Sequence, residues 1–285
     1  MIQKRTLRVS IVIPVYNEAD RITACLQAIA VQTTAPYEVI VVDNNSTDDT
    51  IARASLFPFV KLLREPRQGV VYARERGFDA ASGDIIGRID ADSIIDLDWV
   101  QTLATCFAQH GVDAVTGAIR YNDMAAASLL NRSDLFWRRR MARTMKQEFI
   151  LQGANMALRR QVWRQVKPEL CHRQGLHEDF DIAIHIARQG GQVAFAPQLG
   201  AAVGLRCCAS SYRDFCRYFL VCTKTYAQHG LKSRRHMYPP IALVLLAYLP
   251  LRILHAGYSK RSGFSFNQLL RAETLPRVNP ATFVE

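Results

Sequence analysis

The sequence lacks the spacings that most readily announce a chemistry. Its seven cysteines, an odd number, include no CxxC pair, so they indicate neither a zinc site nor a disulfide framework. Free thiols suit a reducing compartment. No GxGxxG follows the first apolar run and no GxxxxGK[ST] occurs in the chain, which argues against a dinucleotide fold and a P-loop NTPase. The N-terminal apolar run is about five residues, too short for the core of a signal peptide. No apolar run is long enough to cross a bilayer unaided: the longest covers residues 241–249, and Pro250 and Arg252 interrupt its continuation. Acidic residues almost vanish from residues 206–271, where Asp214 stands against eleven Lys/Arg. No RRM, KH or helix-turn-helix signature accompanies that basic charge, so no nucleic-acid partner is expected.

The charge that is present divides the 285-residue chain. Residues 1–127 hold 16 Asp/Glu and 12 Lys/Arg, whereas residues 128–173 hold 3 and 11. An acidic first half and a basic second half imply two tasks, the second suited to phosphorylated ligands or anionic lipid. Along the first half, β-branched runs ("RVSIVIPVY", "EVIVVD", "FVKLLREP", "IIGRID") alternate with helical periodicities ("RITACLQAIAVQ", "TIARASLF", "GVVYARERGFDAA"). That alternation predicts an α/β domain with a mostly parallel, Rossmann-like sheet covered on both faces. Helices are also predicted over residues 96–111, 128–150 and 177–191, and a strand over 112–121.

Ligands of such sheets bind at the carboxyl ends of strands. Those ends carry Tyr16, Asn17 and Glu18 after the first strand, Asp43 after the second, and Asp90 and Asp92 after the fourth. An aromatic can stack on a base, a carboxylate can accept from a ribose hydroxyl, and an acidic pair can hold a hard cation against phosphates. Two aspartates one residue apart otherwise repel and raise each other's pKa. Together the parts suit a metal-bound nucleotide diphosphate. The pair Glu178–Asp179 opens a predicted helix, where acidic residues are also good capping chemistry. Asp48 and Asp49 read as helix caps, Phe136 and Trp137 as core, and Arg138, Arg139 and Arg140 as a solvated face or an acceptor phosphate grip.

Five stretches taken in order, "SIVIPVYNEADRI", "EVIVVDNNSTDDT", "RQGVVYARERGFDAASGDIIGRIDADS", "QGANMALRR" and "HEDFDIAIHIARQG", resemble the successive motifs of GT-A fold, family 2 glycosyltransferases. The resemblance runs over roughly seven-tenths of the chain, about residues 9–205. It implies an inverting, hexosyl-type transferase of cell-envelope polysaccharide assembly that uses a nucleotide-diphosphate sugar and a divalent cation, Mn²⁺ or Mg²⁺. By the same resemblance Asp90 and Asp92 form the DXD motif. Asp92 would ligate the cation, and Asp90 would contact the ribose or the metal shell. Pro14, Tyr16, Glu18 and Asp43 would contact base and ribose, and Arg74 would face the donor. Gly153 and Asn155 would line the sugar pocket, and Asp179, with Glu178 beside it, would be the base. Glu75 departs from the family's asparagine.

The domain expectation is residues 1–205 for the transferase and 206–285 for a basic, apolar helical extension. Bases at 232–235 and 260–261 flank the apolar segment 238–258. Such flanks suit a segment lying in an anionic membrane surface, next to a lipid-linked or glycan acceptor. The localisation expected is cytoplasmic, peripheral to the inner face of the plasma membrane. Two competing readings are a catalytically silent GT-A scaffold and a sugar-nucleotide pyrophosphorylase. The latter requires a glycine-rich first loop with a lysine, and "PVYNEAD" has neither.

Overall fold

The structure, a computed structural model, describes residues 7–108, 111–172, 175–259 and 263–265. Strands β1 (Val9–Val15), β2 (Glu38–Asp43), β3 (Val60–Arg64) and β4 (Ile85–Arg88) alternate with helices α1 (Ala19–Ala30), α2 (Thr50–Ala54) and α3 (Val70–Ala80). The short β5 (Ile94–Ile95) and α4 (Trp99–Ala108) follow, then β6 (Ala114–Tyr121) and α5 (Ala127–Met145). Next come β7 (Met156–Arg159), α6 (Arg160–Val166), α7 (Glu178–Arg188) and β8 (Val193–Val203). The chain continues through α8 (Tyr212–Gln228), α9 (Tyr238–Leu246) and α10 (Tyr248–Ala256), closing on a small ribbon, β9 (Tyr258–Ser259) with β10 (Gly263–Phe264).

Eight strands make one sheet in the order β3-β2-β1-β4-β7-β6-β8-β5. β1 pairs in parallel with β2 on one side and β4 on the other. Chain direction reverses at β7, which is antiparallel to both β4 and β6, while β6 and β8 run parallel. This is the α/β GT-A arrangement expected from the motifs, followed by a helical C-terminal segment. Strand β1 is buried on both faces because every residue from Val9 to Ile13 packs against a covering layer. Ile22, Cys25, Leu26 and Ile29 recur at helical spacing, so α1 presents one apolar stripe to that sheet. Separate apolar clusters fill the two sides, one around Val12, Ile40 and Trp163, the other around Ile11, Ile13 and Trp99.

Tyr226, Met237 and Ile241 belong to the first of these clusters, so α8 and α9 pack into the body of the protein. The apolar segment 238–258 is two helices, and the residues 232–246 and 248–256 meet at a 55° bend. Among the described residues no single helix is long and apolar enough to cross a membrane, although the bent pair passes the same test of length and composition. Residues 266–285 of the expected extension lie outside the described residues. Phe136, expected in the core, is 60% exposed, because it lies on the outer face of α5. Arg138 breaks from its two exposed neighbours: it is buried, with Nε 2.5 Å from Asp134 one helical turn away.

Candidate functional site

An open cleft of about 440 Å³ lies at the carboxyl ends of β1 and β4, parallel neighbours in the sheet. Pro14 lines it from the end of β1, Tyr16 and Glu18 from the loop that follows, and Asp90 from just beyond β4. Gly153, Glu178 and Asp179 close the opposite wall. Residues far apart in sequence therefore share one site because β4 and the segment entering β7 are neighbours in the sheet.

Arg88 organises the floor. It is the last residue of β4, 3% exposed, and its guanidinium meets three carboxylates. Nη2 is 3.4 Å from Asp90 Oδ1, Nη1 is 3.3 Å from Glu178 Oε1, and Nη1 also donates to Asp179 Oδ1. A buried cation is tolerated when anionic partners surround it, and those partners hold Arg88 firmly protonated against the pull of burial. Asp179, 2% exposed, is pinned a second time by the Gly153 N–H, which donates to Oδ2 at 2.8 Å. Gly153 has to be glycine: a Cβ there would stand 2.4 Å from Arg88 Cζ and 2.6 Å from Asp179 Oδ2.

The two acidic residues that open α7, Glu178 and Asp179, differ in basicity. Burial pushes both up, but His177, Arg88 and Arg74 outweigh it at Glu178 and hold that carboxyl down at about 2. At Asp179 burial prevails over Arg88, and the ionised Glu178 beside it adds to the rise. The Arg88, Arg74 and His177 charges thus favour the ionised form at Glu178, whereas burial favours the protonated form at Asp179.

At the other end of the cleft Arg206, from the turn before α8, joins two carboxylates. Its Nη1 and Nη2 both donate to Glu18 Oε1 at 2.8 Å, and its Nε lies 2.9 Å from Asp92 Oδ2. Burial pushes Glu18 up against the lowering influence of Arg206, with Asp92 adding to the rise. Glu18 Oε2 is buried and accepts no hydrogen bond. Asp90 and Asp92 offer the hard carboxylate oxygens that suit a divalent cation of the Mg²⁺ or Mn²⁺ type, and Arg206 meets the charge of these two and of Glu18.

Asp43, Arg74 and Asn155, singled out in the sequence, stand behind the wall, whereas His177 lines the cleft. Asp43 Oδ1 accepts from Ser46 N at 3.0 Å, and it is the adjacent Asn44 that lines the cleft. Asn44 in turn accepts the Gly69 N–H at 2.7 Å, fixing the start of α3. Arg74 is buried, donating to the Glu178 carbonyl at 3.1 Å and to Glu75, which also meets His172 at 2.8 Å. Asn155 is fully buried: it donates to the Leu199 and Ala118 carbonyls and accepts from Trp99 Nε1 at 2.8 Å. His177 is the residue preceding α7 and stacks on Phe180 at 4.1 Å. Asp48 caps as expected, accepting from Thr50 N at 3.0 Å and from Ala19 N at 3.1 Å, whereas the Asp49 side chain makes no cap bond.

Arg88 and Arg206 were not assigned roles from sequence. Arg88 does leave a signal, since a charge inside the apolar run "DIIGRI" has to find acidic partners when the strand is buried. Arg206 is one of eleven bases in its stretch and leaves none.

Known proteins resemble this chain. A 32% identical stretch of 167 residues, 56% of this chain and 55% of the other, is similar to glycosyltransferase AglE of Haloferax volcanii. The Escherichia coli glycosyltransferase YibD, described as uncharacterized, is 30% identical over 112 residues, 38% of this chain and 33% of its own length. The matches thus span about half or less of these curated relatives. In three dimensions the chain resembles the Pyrobaculum calidifontis mannosyltransferase PcManGT, solved with GDP-Man and Mn²⁺, at TM-score 0.66 and 22% identity, over 94% of this chain and 79% of that one. TarS of S. aureus, solved with UDP-GlcNAc, gives TM-score 0.54 at 16% identity, over 93% and 79%. The family profile described as "Glycosyl transferase family 2" matches residues 10–166, more than half of the sequence, and the chain belongs to that family.

Proposed function

We propose that this protein transfers a sugar, with inversion, from a nucleotide-diphosphate sugar to the hydroxyl of a lipid-linked or other membrane-proximal acceptor. The observation that carries the reading is the pairing of Asp90 and Asp179 across one cleft through the shared guanidinium of Arg88. Tyr16 and the loop around it receive the nucleotide, with Glu18 toward base and ribose, while Asp43 holds the Ser46 turn from behind the wall. Asp90 and Asp92 would hold the divalent cation, which when bound offsets charge on the leaving diphosphate. Asp179 removes the proton of the acceptor hydroxyl as it attacks the anomeric carbon. Arg88 and the Gly153 N–H orient that carboxylate, and Arg74 supports it through the Glu178 carbonyl. The sugar lies against Gly153, with Asn155 holding that wall from behind.

The discriminating experiment pairs a panel of UDP- and GDP-sugars, each with Mn²⁺, with thermal unfolding and donor hydrolysis. One donor class should raise the melting temperature and be turned over, with chelator abolishing both. Stabilisation without any turnover would favour a silent scaffold instead.

The acceptor reading rests on a second cavity of about 250 Å³ that adjoins Asp90 and Asp92. Its walls are mostly apolar, with Trp137 of α5, Phe215 and Phe219 of α8, and Ile241, Leu243 and Val244 of α9 among them. Beyond it, Leu246 (84% exposed), Leu249 and Ile253 of α9 and α10 face outward. Leucines inserted below the headgroups and bases among them, at about 1 kcal/mol per base, would give salt-sensitive attachment to the cytoplasmic membrane surface. Full-length protein should therefore float with anionic vesicles at low salt. Leu246→Glu with Leu249→Glu should abolish flotation while leaving the melting temperature within a few degrees. Flotation of the double variant at the parent's level would remove the tail from the membrane.

A further inference from the structure

Helix α7 carries a second constellation outside the cleft. Asp181 and His185 are four residues apart, so both project from one face of the helix. Cys171, in the segment before α7, meets that face, as does His229, the residue just after α8. One donor atom from each of Cys171, Asp181, His185 and His229 lies within 4.8 Å of all the others. A tetrahedral zinc with bonds of about 2.0–2.3 Å spaces its ligand atoms roughly 3.3–3.6 Å apart. Small side-chain rotations would close the difference.

His185 gives the second observation. It is 5% exposed, and its Nε2 points into the cluster without a hydrogen-bond partner, 3.6 Å from Asp181 Oδ1. Its Nδ1 faces Glu169 Oε2 at 3.2 Å. A carboxylate at Nδ1 fixes the N–H there and leaves a lone pair on Nε2, the tautomer in which histidines bind metals. The other ligands are held as well. Asp181 Oδ2 accepts the Cys171 N–H at 2.8 Å, His229 Nε2 lies 2.7 Å from Asp181 Oδ1, and the His229 carbonyl accepts from Arg188 at 3.1 Å.

We propose that Cys171 Sγ, one Asp181 carboxylate oxygen, His185 Nε2 and His229 Nε2 form a structural zinc site. A thiolate with two imidazoles suits zinc far better than Mg²⁺ or Mn²⁺, which prefer all-oxygen sets. The ion ties the end of α8 and the segment carrying Cys171 to the helix that begins with Glu178 and Asp179. The ligands are spread over three segments, so no paired-cysteine spacing announces them.

Chelator-stripped full-length protein titrated with Co²⁺ should take up one equivalent with tetrahedral visible bands and a thiolate charge-transfer band. Zn²⁺ should displace the cobalt and raise the melting temperature. Cys171→Ser should lose the charge-transfer band and bind cobalt at least tenfold more weakly, whereas Asp92→Asn should keep the band. Absence of stoichiometric uptake, or an unchanged band in Cys171→Ser, would overturn the site and leave a hydrogen-bonded His–Asp–His cluster. If the serine variant does not fold, alkylation of the parent decides: zinc should shield Cys171, and equal labelling with and without zinc refutes the assignment. None of these measurements uses donor or acceptor, so their failure leaves the transfer reading intact.

Discussion

Asp179→Asn should lower turnover by about two to four orders of magnitude, the usual contribution of a general base, with donor affinity changed less than about threefold. The side chain is isosteric, but its chemistry in this setting is not. Asp179 accepts from Arg88 on one oxygen and from the Gly153 N–H on the other. An amide can satisfy only one of those donors, which costs about 1–3 kcal/mol, so the variant should fold with a lowered melting temperature. The pH profile supplies an independent readout. Protonated Asp179 cannot accept a proton, so the rate must fall as pH falls through its pKa. Burial raises that pKa above the ordinary 3.8, and the acid limb of the parent should lie correspondingly higher. The limb should vanish in the asparagine variant. A loss of less than tenfold would move the role to Glu178, for which Glu178→Gln is the companion measurement.

Asp92→Asn should remove metal-dependent donor binding. A divalent cation needs charged oxygens, and a neutral amide in place of one of them weakens its hold by at least tenfold, about 1.4 kcal/mol. The fold should survive because Arg206 keeps both of its bonds to Glu18 at 2.8 Å, and the asparagine oxygen can still accept from Nε. Calorimetry of the preferred donor with Mn²⁺, against the parent with chelator, gives the comparison. The variant with Mn²⁺ should match the parent without it. Parent-like, metal-dependent affinity in the variant would take Asp92 out of the metal shell.

The first half of the fold was legible because its signals are local. Strands β1 and β2 are β-branched runs, α1 between them has an apolar stripe, and Glu18, Asp43 and Asp90 sit where apolar runs stop. β7 and β8 were not seen. Met156–Arg159 lies inside a stretch quoted only as a motif, and Val193–Val203 contains Pro197 and several small residues that weaken its strand signature. Its pairing with β6 is broken by an irregularity at Gly117/Ala118, a tertiary accommodation that no local pattern encodes. At the site, Glu18, Asp90, Gly153, Glu178 and Asp179 come together on the cleft. Arg74 and Asn155 proved to be wall supports, since a buried amide with three partners looks the same in sequence as one facing a ligand.

The sharing of Arg88 among Asp90, Glu178 and Asp179 has a thermodynamic consequence. Asp90, Glu178 and Asp179 all contact one guanidinium, so each negative charge is felt by the other two. A cation or ligand that offsets the Asp90 charge relieves that repulsion and so makes Glu178 and Asp179 harder to protonate. Occupancy of the nucleotide end and basicity at the acceptor end are therefore linked functions. By reciprocity, protonating Asp179 must change the affinity for that ligand by the same factor. The acid–base titration of one end of the cleft is a gauge of what fills the other.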